Sequence, residues 1–362
     1  MKYRVIAVLL LMGILASVAV LCFQKQEESG PAQELKSHDF EMDGVYYSIT
    51  SDKLSTVMVT YKGSQSDSYE NEYSGSVIIP DVVIYENKNY LVTEIGSYAF
   101  ENCAAMTSIT IPKTVNTWGL GTFYGTDGLK EVHIESLSAW CNMMIPTVLD
   151  YTGSGIFNEH TCLYLNGELV TDLVIPKDVQ EVCQYTFQGY RQLKSVAFHK
   201  DVSIGKSAFG YCSNLSNVKI PKNLNSVGPC AFEFTPWYEN LPDGEIYFGK
   251  SFYKYKGEMP SNTAVVIKEG TETLCEGAFC SCSGLISLTL PSTLKVIQNY
   301  AIDECQNIKE VHSKGVTPPM MNRFYNDTYG AETILYVPKG SKDLYNYDSF
   351  MGINNIVEVA SW

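Results

Sequence analysis

The arrangement of residue types in residues 204–221, IGKSAFGYCSNLSNVKIP, returns through most of the chain and constrains what the chain can become. Its skeleton is Ile-Gly, then Ala-Phe, a Cys three residues after the Phe, a Leu three later, and an alternating apolar run closed by Pro. Residues 95–112 repeat it with Ile95-Gly96, Ala99-Phe100, Cys103, Met106, Ile109 and Ile111, and residues 274–291 with Ala278-Phe279, Cys282, Leu285, Leu288 and Leu290. Weaker copies run through Phe123, Phe187 and Ala301-Ile302. The anchors Phe100 and Phe123 are 23 residues apart, Phe187 and Phe209 22, Phe209 and Phe232 23, and Phe279 and Ile302 23. A unit this short cannot bury its apolar face alone, so successive copies stack into a solenoid.

Apolar-any-apolar triplets mark the strands of that solenoid. They fall at 77–79, 109–111, 132–134, 173–175, 196–198, 218–220, 265–267 and 288–290, then at the degenerate Val311, and last at 335–337. Pro80, Pro112, Pro176, Pro221, Pro291 and Pro338 each follow a triplet, where a residue without an N–H ends a ladder. Ten parallel strands spaced at about 4.8 Å predict a sheet roughly 50 Å long. Side chains alternate between the two faces of a strand, so the outward set is readable. It supplies the candidate contact residues Thr110, Glu131, His133, Asn217, Lys219, Thr289, Glu310 and His312, mostly polar and spread over a long flat strip.

Two stretches interrupt the period. Residues 135–168 hold Asn166-Gly167, and residues 234–262 hold Asp243-Gly244, both good two-residue turn signals; each predicts a β-hairpin beside the solenoid. The second is rich in aromatics, and Trp237 and Tyr238 stand as a competing contact surface, with packing of the hairpin the alternative account. Residues 39–75 read as an N-terminal β cap with strands near 45–49 and 57–61, ahead of a repeat array over 76–315. Residues 316–362 read as a last repeat and cap, with a helical segment near 341–350 and a strand at IVEV.

The N-terminus reads as a targeting segment: Lys2 and Arg4 precede an uncharged apolar run over 5–23. Three endings are open. Ala19-Val20-Leu21-Cys22 is similar to a lipobox, which would lipidate Cys22 and give residues 1–22 as the signal; cleavage could instead follow Ala19, or the run could stay as an anchor just long enough to span a bilayer. Residues 23–38 are polar and read as a flexible tether. Each ending places the remainder outside the cytoplasm, touching membrane only through this segment.

The chemistry of catalysis finds no footing. No nucleophile, base and orienting acid can be assembled from spacing, so no catalytic residue and no cofactor are expected. Gly119, Gly121 and Gly125 suggest a phosphate loop, but no Lys-Ser/Thr follows, and Thr122-Phe123 falls on the Ala-Phe position. Cys275, Cys280 and Cys282 lack paired metal-ligand spacing, and no metal is expected. Cys103, Cys212, Cys282 and Cys305 share one repeat position and read as a column of buried thiols, with a Cys282–Cys305 disulfide on adjacent turns as the alternative. A net charge of -14 leaves no basic stripe for nucleic acid.

The units IGSYAFENCAAMTSITIP, IGKSAFGYCSNLSNVKIP and CEGAFCSCSGLISLTLP resemble the BspA-like leucine-rich repeats of bacterial surface proteins. The resemblance covers roughly residues 76–340, and SAWCN, LYLNGELVTDLVIP, TPWYENLPDGEIYFGK and LYVPKGSKDLY belong to the same pattern. It implies a cell-surface protein of host-associated bacteria, with adhesion to host extracellular or matrix proteins as one family role. Glycans are the alternative partners if the insert aromatics form an exposed platform. Glu27-Glu28, soon after Cys22, is similar to the surface-export tethers of Bacteroidetes lipoproteins. A structural envelope component with no diffusible ligand is the remaining reading.

Overall fold

The computed structural model describes residues 38–145, 155–222, 224–321, 332–345 and 352–361. Its array is a β-solenoid, and each full turn has three walls. The first is the long-strand wall anticipated by the Pro-closed triplets. Among the described residues it holds twelve parallel strands in three sections. Gly75–Ile78, Met106–Ile111, Glu131–Ile134 and Cys162–Leu165 form the first section, and Asp172–Val174, Ser195–Ala197 and Asn217–Lys219 the second. Thr263–Val266, Leu285–Leu290, Glu310–Ser313, Ile334–Pro338 and Asn355–Val359 form the third. The register is in phase: Ile109 lies beside Val132, Val196 beside Val218, and Leu288 beside Val311, so inward residues meet inward residues.

The second wall is a column of shorter strands centred on the Ile-Gly position. Glu181–Val182, Ser203–Ile204 and Ser226–Val227 pair in parallel, and Ser251–Lys256, Thr273–Leu274, Val296–Ile297 and Met320–Met321 do so further on. The glycine has a steric cause. A Cβ on Gly228 would lie 2.5 Å from the Lys206 N and 2.7 Å from the Gly205 C, the backbone of the preceding turn.

The third wall is the Ala-Phe turn, and it is neither helix nor sheet. Each copy has a left-handed residue immediately before the Ala-Phe pair and another four residues later. Tyr98 and Asn102, Tyr185 and Gly189, Ser207 and Tyr211, Cys230 and Phe234, and Tyr300 and Glu304 are such pairs, with φ between 50° and 76°. Most are not glycine, although this conformation costs an L-residue roughly 1–2 kcal/mol. The ladder between turns holds them there: Phe209 N donates to Ala231 O at 2.9 Å, and Tyr211 N to Glu233 O at 2.9 Å. The phenylalanines stack behind it, Phe187 on Phe209 at 5.3 Å and Phe209 on Phe232 at 5.6 Å between centroids.

The cap at the start begins as an antiparallel meander of Phe40–Met42, Val45–Ser51 and Thr56–Thr60. Thr56–Thr60 then pairs in parallel with Lys88–Ile95, which carries the chain into the short-strand wall. Tyr73, 2% exposed, sets its ring edge-on to Phe100 and donates to Thr60 O, so the segment after the meander, tied back to its last strand, covers the first phenylalanine of the stack.

Three expectations are corrected. The hairpins do not lie beside the solenoid: Cys162–Leu165 takes a place in the long-strand wall, and Ser251–Lys256 one in the short-strand wall. The sheet is not one ladder of about 50 Å. After Asn166-Gly167 the chain returns as Glu168–Leu169, which occupies the free edge of Cys162–Leu165, so the next strand must start a new section. At the second insert Gly244–Phe248 occupies the edge of Ser251–Lys256 in the same way. Of the helical segment expected near 341–350, Lys342–Leu344 forms one 3-10 turn, and residues 346–350 lie outside the described residues. The IVEV strand is present, and it extends the long-strand wall.

Candidate binding face

The outward side of the long-strand wall carries the side chains expected there. Thr110, His133, Thr289, Glu310 and His312 are half-buried, and Glu131, Asn217 and Lys219 exposed, while the residues between them are core: Ile109, Val132, Leu288 and Val311 are each 0% exposed. Register decides which of them meet. Thr110 neighbours His133, and Thr289 neighbours His312; Asn217 and Lys219 stand apart from these on the last strand of the middle section, beside Ser195 and Ala197.

Within each group the pairing is specific. The His133 Nε2 lies 3.1 Å from the Glu131 Oε2, and its ring stacks on Tyr164 at 4.9 Å and 15°. The His312 Nε2 lies 3.2 Å from the Glu310 Oε2, and its ring stacks on Tyr336 at 4.6 Å and 10°. Glu-x-His places carboxylate and imidazole on the same face of one strand, and the next strand supplies the tyrosine. Tyr164 and Tyr336 were not among the residues singled out in the sequence. The shared Leu-Tyr dipeptide, Leu163-Tyr164 and Leu335-Tyr336, was the available signal.

The second insert does not present the aromatic platform that its composition suggested. Tyr238 is 5% exposed, and Trp237 is half-buried with its ring 5.7 Å from Phe248 and 5.0 Å from Phe232. Both therefore pack the insert onto the array. Burial pushes the Glu233 carboxyl up from its ordinary value; it accepts from the Tyr253 hydroxyl and lies 3.8 Å from the Lys254 Nζ, joining the turn to the hairpin. An aromatic pair that does face solvent is Tyr211 and Phe234, 48% and 58% exposed, stacked at 4.4 Å on the turn wall.

The four cysteines of the repeat position are buried thiols, and Cys282 and Cys305 are not bonded to each other. The Cys212 Sγ donates to Phe187 O at 3.0 Å and the Cys305 Sγ to Phe279 O at 3.1 Å, so each thiol satisfies the phenylalanine carbonyl of the preceding turn. Burial pushes both thiols up to about 12, which keeps them protonated and unreactive at neutral pH. Gly121 and Gly125 are the two left-handed residues of their turn. Among the described residues no group of three or more His, Cys, Asp or Glu is placed to hold a metal ion, and no helix is long and apolar enough to cross a membrane. Cys22, the expected lipidation site, lies outside the described residues.

Solved structures similar to this chain include a leucine-rich cell surface protein from Faecalibacterium prausnitzii, at 18% identity over 89% of this chain and 95% of that one, with a TM-score of 0.35. A leucine-rich repeat protein from Bacteroides ovatus matches at 17% identity over 89% and 100%, with a TM-score of 0.35. The pneumococcal vaccine antigen PcpA matches at 14% identity over 88% and 98%, with a TM-score of 0.31. No curated protein matches the chain. A family model of the BspA type leucine rich repeat region matches residues 70–166, 142–256 and 246–336, in six copies. With the in-phase strand register and the repeating Ala-Phe turn, that coverage makes this chain a member of the BspA-type leucine-rich repeat family.

Proposed function

We propose that this protein is a non-catalytic binding protein of the cell surface, tethered through its N-terminal segment, that adheres to host extracellular or matrix proteins through the long-strand face. The observation that carries the reading is the outward side of that wall: a strip of polar and aromatic groups laid over an apolar core of in-phase parallel strands. Such a strip suits a broad protein partner better than a small substrate, which needs a concave, water-excluding site. Membership of a repeat family used as a scaffold supports binding over chemistry.

A second reading has an observation of its own. The exposed Tyr211–Phe234 stack favours a glycan partner, whose apolar ring faces pack on aromatic side chains.

The test is binding of the full-length protein to immobilised host matrix proteins and to glycans at physiological salt, beside a variant with Glu131, Lys219 and Glu310 charge-reversed. Saturable binding to a matrix protein, weakened in the variant, supports the first reading. Binding to glycans alone, lost in Tyr211→Ser, moves the function to the turn wall. Binding to neither leaves a structural envelope role.

A further inference from the structure

The strongest unexplained regularity lies on the outward face, where the same set of side chains occurs twice. In the first section the register sets Ile78, Thr110, His133, Tyr164 and Leu169 side by side on five neighbouring strands. In the third section it sets Val266, Thr289, His312, Tyr336 and Val357 side by side in the same order. Both stripes therefore read apolar, Thr, His, Tyr, apolar. Alongside each runs a second row in which Ser108 precedes Glu131 and Ser287 precedes Glu310. The middle section carries nothing similar: its outward residues are Asp172, Ser195 and Asn217, and Val174, Ala197 and Lys219.

Core packing cannot account for the match, because these side chains point away from the core. The apolar ends are exposed, Ile78 at 64%, Val266 at 60%, Leu169 at 44% and Val357 at 38%. Nor does the repeat period require it, since the intervening turns keep the period without the stripe.

We infer that the two stripes are two copies of one binding site, each accepting an extended polypeptide segment about six residues long, apolar at both ends and basic between them. This inference rests on the protein-binding reading above. Its length follows from four strand spacings of about 4.8 Å, roughly 19 Å, spanned by about six residues at some 3.3 Å each. Its ends follow from the exposed Ile78 and Leu169, or Val266 and Val357. Its basic centre follows from the charge of the outward row, where Glu131 or Glu310 is the charged group beside the His–Tyr stack. A carboxylate beside an aromatic stack suits a guanidinium, although Lys130 and Lys309 stand exposed immediately before these strands begin. A pair of equal sites on one wall selects a partner that repeats its own segment.

The experiment uses a synthetic peptide with leucines at its two ends and arginine at its centre, as a monomer and as tandem copies joined by Gly/Ser linkers of graded length. Binding to the full-length protein is read by fluorescence anisotropy. The monomer is expected to bind weakly, and the tandem with a sufficient linker about 100-fold tighter, as effective concentration dictates. His133→Ala with Tyr164→Ser, or His312→Ala with Tyr336→Ser, should each remove the tandem advantage and leave monomer binding; all four together should abolish both. Circular dichroism melts of the variants should match the parent, because these side chains lie outside the core.

Three results overturn the inference: no monomer binding, tandem binding unchanged by either pair, or equal binding when glutamate replaces the arginine. Matrix-protein binding by the four-fold variant separates the two claims. If it persists, the stripes are not the site but the protein-binding reading stands; if the parent binds no protein, the reading itself fails.

Discussion

Replacing Gly228 by Ala adds one methyl group, and the structure locates what that methyl meets. The new Cβ would lie 2.5 Å from the Lys206 N, 2.7 Å from the Gly205 C and 3.0 Å from the Lys206 Cα. All three atoms are backbone, so no side chain can swing aside. That backbone is also held from both sides: Gly205 N donates to Val182 O at 2.8 Å, and Gly228 N itself to Ile204 O at 2.6 Å. Ordinary contact begins near 3.4 Å, so the two turns must part by close to an ångström or tilt, lengthening a short hydrogen bond. Overpacking of this kind costs about 1–3 kcal/mol. Against it stands a gain of about 0.4–1 kcal/mol, because alanine restricts the unfolded chain where the native φ suits it, and Gly228 is not left-handed. A net loss of roughly 1–2 kcal/mol is expected from urea denaturation of the variant and parent. Gly205→Ala, whose Cβ would meet the Gln184 N at 2.5 Å, should repeat it. Parent-like stability in both would falsify the claim that the Ile-Gly repeat exists to let turns close up.

Phe209→Ala removes a ring that is 0% exposed and stacked between Phe187 and Phe232, and should lose about 3–5 kcal/mol in the same assay; a loss below about 1 kcal/mol would take Phe209 out of the core. Lys219→Glu, on the exposed face, should stay within about 0.5 kcal/mol of the parent, and unfolding would reverse the assignment of the outward face. Brief iodoacetamide labelling of the native protein should mark Cys230 and Cys280, which are exposed, before Cys212, Cys275 and Cys305; mass spectrometry showing equal labelling would contradict their burial. Those three thiols rise to about 12 in the fold from an ordinary 9.0, so the native state holds protons that the unfolded chain gives up. Their contribution is complete below pH 9 and is lost as pH climbs toward 12, and a urea midpoint that does not fall between pH 8.5 and 10.5 would count against it.

The strands that carry the repeat were legible because their signal is local. Ile109, Val218 and Leu288 alternate with polar neighbours, and a proline follows soon after, so each declares itself within a few residues. Local signals also gave the column of buried thiols and the outward residues between core positions. What the sequence hid depends on which strands become neighbours. Asn166-Gly167 announces a hairpin, but only the register shows that Cys162–Leu165 joins the wall beside Glu131–Ile134, bringing Tyr164 onto His133 across 31 positions of sequence. Tyr238 misled for a related reason: an aromatic-rich insert looks the same in sequence whether its rings cover the array or face solvent. The left-handed pairs around Ala-Phe were hidden too, since Tyr, Phe, Cys and Glu occupy positions where glycine would have announced them.

The breaks between sections give the protein a mechanical grain. Within a section, backbone hydrogen bonds join each turn to the next in both strand walls and along the Ala-Phe turns. Across the second insert the connections include side-chain bonds: the Lys206 Nζ to the Glu276 Oε1 at 3.1 Å, the Cys275 Sγ to Val227 O at 3.2 Å, and Glu233 to Tyr253. These can let go one after another. A chain fixed at one end and loaded at its outward face would yield at that seam first, releasing length while the sections on either side stay folded.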